Sequence, residues 1–79
     1  MSKAEAYDQI FTETFNVTKE ALNDNFTFAD NEKWDSMTHL VLISALEDEF
    51  DVMFDTEDIL NYHSYENGKK ILKRYGVEL

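Results

Sequence analysis

Seventy-nine residues with no cysteine, no proline and only two glycines make one small domain, whose core has neither a disulfide nor a thiolate-bound metal to staple it. Seventeen acidic against seven basic side chains give a net charge of −10, which excludes nucleic acid and anionic lipid as expected partners, because phosphate binding needs Lys and Arg in quantity. Most of the positive charge gathers at Lys69, Lys70, Lys73 and Arg74, and the acidic remainder suits basic partner surfaces.

The first residues, Met1 to Glu5, lack the basic segment and apolar run of a signal peptide, and the longest aliphatic run, Leu40 to Ile43, is too short to cross a bilayer. A cytoplasmic monomer without membrane insertion is expected. Ser2 and Glu5 have capping-box spacing, and Ala6, Ile10, Phe11 and Phe15 follow at three-to-four residue intervals. The spacing predicts a helix over residues 3–16. Residues 17–35 are polar but carry Val17, Leu22, Phe26 and Phe28, too apolar for a solvated linker; they predict a long loop pinned to the core, with a short turn after Thr18.

A second helix is expected from near Asp35 to Phe50, burying Leu42, Ile43, Leu46 and Phe50. Glu47, Asp48 and Glu49 lie towards its C-terminal end, where acids oppose the helix dipole at about 0.3–1 kcal/mol each, a misplacement that points to a use other than stability. Val52, Met53 and Phe54 should turn inward. Thr56 is the expected cap of a short third helix, with Glu57 and Asp58 in its first turn ahead of Ile59, Leu60 and Tyr62. Ser64 is the expected cap of a fourth, with Tyr65, Gly68, Leu72 and Tyr75 on one stripe and Gly76 as its stop. Gly68 costs about 1 kcal/mol relative to Ala inside a helix, so it should mark a close backbone approach. The chain is therefore all-α, a small four-helix bundle with a long first loop and a short third helix.

Catalytic apparatus is not evident. His39 lies three residues after Ser36 on the same helix, and no Gly-rich turn offers an oxyanion hole for a Ser–His–acid arrangement. The acids of residues 47–55 lack the central glycine of a calcium loop, and two late glycines cannot build a phosphate-binding loop. His39 and His63 read as surface or cap residues, not ligands.

Asp35-Ser36-Met37, followed by Leu40, Leu42, Ile43 and the run Leu46-Glu47-Asp48-Glu49-Phe50, resembles the Asp-Ser-Leu signature and acidic second helix of acyl carrier proteins. Residues Val17 to Phe28 are similar to that family's first loop, and the likeness in length and helix order covers essentially the whole chain. The resemblance implies a non-catalytic carrier of acyl-carrier fold, on which a separate phosphopantetheinyl transferase esterifies Ser36 with 4'-phosphopantetheine from coenzyme A. It implies that acyl units then travel as thioesters, for fatty acid or specialised acyl or polyketide-type biosynthesis. Asp35 would cap the helix or orient the transferase, and the helix N-terminus would accommodate the phosphate.

The family's partners, acyl-loading, condensing or acyl-transfer enzymes with basic docking surfaces, would meet Glu47, Asp48, Glu57 and Asp58. Thr38, His39 and Val41 depart from the acids that family members place in the first turns after the serine, so Met37 and Val41 are expected to form an apolar spot beside the arm. Leu46, Phe54, Ile59 and Tyr62 would border the family's acyl cavity, their bulk suggesting a short, polar or absent cargo pocket. Trp34 replaces a small residue and would shield the loop or mark the chain for a particular partner. Two alternatives stay open: an aminoacyl or peptidyl carrier, disfavoured by the absence of glycine before Ser36, and an unmodified acidic interaction module.

Overall fold

Local sequence sets where each helix begins and ends. The computed structural model describes residues 2–79 and forms a small helical bundle of α1 (Lys3–Phe15), α2 (Ser36–Phe50), α3 (Thr56–Asn61) and α4 (Tyr65–Arg74), with a 3₁₀ turn at Lys19–Ala21 in the long loop. Ser2 and Glu5 close the expected capping box, the Glu5 amide donating to the Ser2 hydroxyl at 3.1 Å. α1 and α2 both end on a left-handed residue, Asn16 (φ 54°) and Asp51 (φ 53°); Asn and Asp are among the few non-glycine residues that tolerate this conformation. Gly76 (φ 86°) stops α4, where the Val77 amide folds back to the Leu72 carbonyl at 3.1 Å.

Aromatic side chains fill the interior. Tyr7, Phe11 and Phe15 of α1 meet Phe26 and Trp34 of the loop, with Phe15 and Trp34 ring centres 5.1 Å apart and Phe15 and Phe26 at 5.2 Å. Such pairs add about 0.5–1.5 kcal/mol beyond the area they bury. The loop is also tied by its backbone: Phe28 donates to the His63 carbonyl at 2.7 Å and Tyr65 to the Phe26 carbonyl at 3.0 Å, flanking an isolated antiparallel bridge between Thr27 and Ser64. The expectation of a pinned loop is met, and its anchor is the start of α4.

Gly68 is the close approach its position predicted. A methyl there would overlap the hydroxyls of Tyr62 and Tyr7. Tyr7 donates to the Tyr65 carbonyl at 2.7 Å, so Tyr62, 2.8 Å away, must supply the proton between the two phenols. Burial, before any other cause, raises both phenol pKa values.

Several expectations are corrected. Trp34 is 2% exposed, a core residue that no partner can touch. Phe50 is only half-buried, and Ile71 joins Leu72 in the core instead of Tyr75. Met53 is 83% exposed while Phe54 beside it turns in, because an extended connection points successive side chains to opposite sides. α3 is capped by Asp55, with Thr56 its first helical residue.

Candidate functional site

Asp35 is the N-cap of α2, and its carboxylate accepts the Thr38 amide at 2.8 Å. That bond, ahead of its other contacts, holds the Asp35 carboxyl below the usual aspartate range. The capping role is thereby taken, and Ser36 stands as the first residue of the helix, exposed. It lines a groove of about 390 Å³. Ser36, His39 and Leu40 of α2 form one side, Ile59 and Leu60 of α3 the other, Phe28 closes the loop end, and buried Tyr62 lies beneath. Of two hollows of similar size, one lies among Lys69, Lys70 and Lys73, and the other, between the start of α1 and the end of α2, holds Ser2, whose hydroxyl is already engaged as the cap of α1.

His39 is not the surface residue expected. The Trp34 indole N–H donates to its Nδ1 at 3.0 Å, and its Nε2 lies 2.8 Å from the Ile59 carbonyl. Both nitrogens are engaged, leaving none free to take a proton from Ser36. Helical spacing held the signal: His39 falls three and four residues before the buried Leu42 and Ile43, on the same stripe. His63 is exposed, as expected.

The predicted partner residues divide. Met37 (78% exposed) and Val41 (59%) share one face of α2, and exposed Asp48 lies two turns beyond Val41 on that face. Glu47 faces elsewhere, and its carboxylate accepts the Phe54 amide at 2.9 Å; the acid that opposes the dipole ties the α2–α3 connection. On α3, Glu57 is exposed, whereas Asp58 is bonded to Tyr75 and Arg74. The Tyr75 hydroxyl foremost, with Arg74, holds the Asp58 carboxyl below its ordinary range against the opposing effect of desolvation. Leu40 (63%) and Leu60 (77%), which the sequence did not single out as site residues, add to the exposed apolar rim of the groove.

No helix is long and apolar enough to cross a membrane among the described residues. The chain matches no family model and no curated protein.

Proposed function

We propose that the protein is a carrier, one that presents a covalently attached prosthetic group to partner enzymes and performs no chemistry of its own. Within that class the reading is an acyl carrier, with Ser36 the attachment point for 4'-phosphopantetheine delivered from coenzyme A by a transferase. One observation carries it: Asp35 caps α2, which frees the exposed Ser36 hydroxyl at the lip of an apolar groove. A serine whose purpose was capping would occupy the position Asp35 holds.

The residues present fit such a group. Ser36 offers an accessible hydroxyl for a phosphodiester, and the start of a fifteen-residue helix is an electrostatically favourable place for a phosphate. The prosthetic group supplies a thiol, which a chain with no cysteine lacks. Leu40, Leu60 and Phe28 give an acyl unit an apolar surface, while Leu46, Phe54 and Tyr62, all buried, fill the space beneath. That packing favours a short cargo lying in the groove over a long chain threaded into the core. Exposed Met37, Val41, Asp48 and Glu57 form the proposed partner surface. Its individual ion pairs are worth roughly 0–1 kcal/mol, suited to brief encounters.

The test is intact-mass measurement after incubation with coenzyme A, magnesium and a broad-specificity transferase. One phosphopantetheine should be gained by the native chain and none by Ser36→Ala. No gain, or a gain that survives the substitution, overturns the reading.

A further inference from the structure

We propose that His39 is the positioning residue that holds α3 in place as one wall of the groove, through a relay running from a buried indole to a helix carbonyl. An indole N–H can only donate, so Trp34 makes Nδ1 of His39 an acceptor. The ring is then neutral with its proton on Nε2, and that proton is donated to the Ile59 carbonyl of α3 at 2.8 Å. The tautomer is fixed by a side chain in the core, and the fixed tautomer is the one that can grip α3.

α3 needs such a grip. It has six residues, none fully buried, and the side chain of its N-cap Asp55 bonds none of its amides. Asp58 ties it to Tyr75 and Arg74, Asn67 of α4 donates to its Asn61 carbonyl at 2.8 Å, and the His39 bond to Ile59 is the polar tie on the groove side. Ser36, His39 and Ile59 all line that groove, so the bond that seats α3 also sets how far the groove beside Ser36 can open. Its bearing on cargo rests on the carrier reading; the relay itself does not.

Two substitutions separate the halves of the relay. His39→Gln places a donor near the Nε2 position and keeps the tie to Ile59, whereas His39→Asn places an acceptor near Nδ1 and reaches only Trp34. On the unmodified chain, hydrogen exchange of the α3 amides, such as Ile59, which donates to Asp55 at 3.0 Å, should quicken about two- to tenfold in the Asn variant, the worth of one hydrogen bond. It should stay near native in the Gln variant. Imidazole nitrogen spectra of the native protein should show Nδ1 bare and Nε2 protonated. Equal exchange in the two variants, or a ring protonated at Nδ1, overturns the proposal.

On acyl-loaded protein, the thioester half-life towards hydroxylamine should shorten in the Asn variant alone; unchanged half-lives would overturn the part assigned to His39 in guarding cargo. Should the native chain fail to load, the carrier reading falls, and exchange and tautomer still decide the relay.

Discussion

The carboxylate of Asp35 accepts the Thr38 amide at 2.8 Å, and this single bond separates the two roles that Ser36 could have held. Ser36→Ala should therefore leave stability within about 0.5 kcal/mol of native, as for an ordinary surface substitution, while abolishing attachment. Asp35→Ala should lower the melting temperature more than Ser36→Ala does. Thermal unfolding followed by circular dichroism checks both; the reverse order would return the capping role to Ser36.

Gly68→Ala tests the tyrosine seat. In an exposed helix this change gains about 1 kcal/mol, but here the new methyl meets the hydroxyls of Tyr62 and Tyr7. Forcing them apart should cost about 1–3 kcal/mol, so the sign reverses. Denaturant unfolding measures it, and a stabilised variant would mean the two phenols move aside freely.

The four tyrosines give an alkaline limit. Burial foremost raises the pKa of Tyr7, Tyr62 and Tyr65, and the bond to Asp58 foremost raises that of Tyr75. A phenol that holds its proton more tightly when folded contributes stability in full below its unfolded pKa of about 10, and that contribution is lost as pH rises beyond it. Tyrosinate absorbance should appear together with loss of helical signal. Full ionisation with the helices intact would contradict the burial of this network.

Much of this was written in local pattern. Ser2 with Glu5, Ser64 and Gly76 mark helix ends by their own chemistry, and Gly68 announced a close contact because it sits where a helix resists glycine. The relay was not legible, because it joins Trp34, His39 and Ile59 through a ring tautomer and a backbone carbonyl, neither of which has a sequence signature. His39 looked polar and hence exposed, although its spacing placed it on the buried stripe. Trp34 left two readings, a shield for the loop or a mark for a partner, and only the packing of Phe11 and Phe15 against it shows it inside.

Charge reversals on α2 and α3 should divide according to what each acid already holds. Glu47→Lys removes the acceptor of the Phe54 amide and should lower the melting temperature, whereas Asp48→Lys should leave it near native and slow transferase loading. Asp58→Asn should destabilise at neutral pH. Because its folded carboxyl pKa is depressed, the stability Asp58 adds is present above the unfolded value near 3.9 and lost as pH falls through the lower folded one. Native and variant melting temperatures should therefore converge in acid. A Glu47→Lys variant as stable as native would release that residue to the docking surface.

The pairing of Phe26 and Phe28 with Tyr65 and His63 joins stretches of chain separated by all of α2 and α3. Closing so wide a circuit costs entropy that only long-range contacts repay. During refolding, the loop and α4 should become ordered in the same kinetic step, after α1 and α2 have paired. A nick within residues 17–35 would then loosen the far end of the molecule as well as its own neighbourhood.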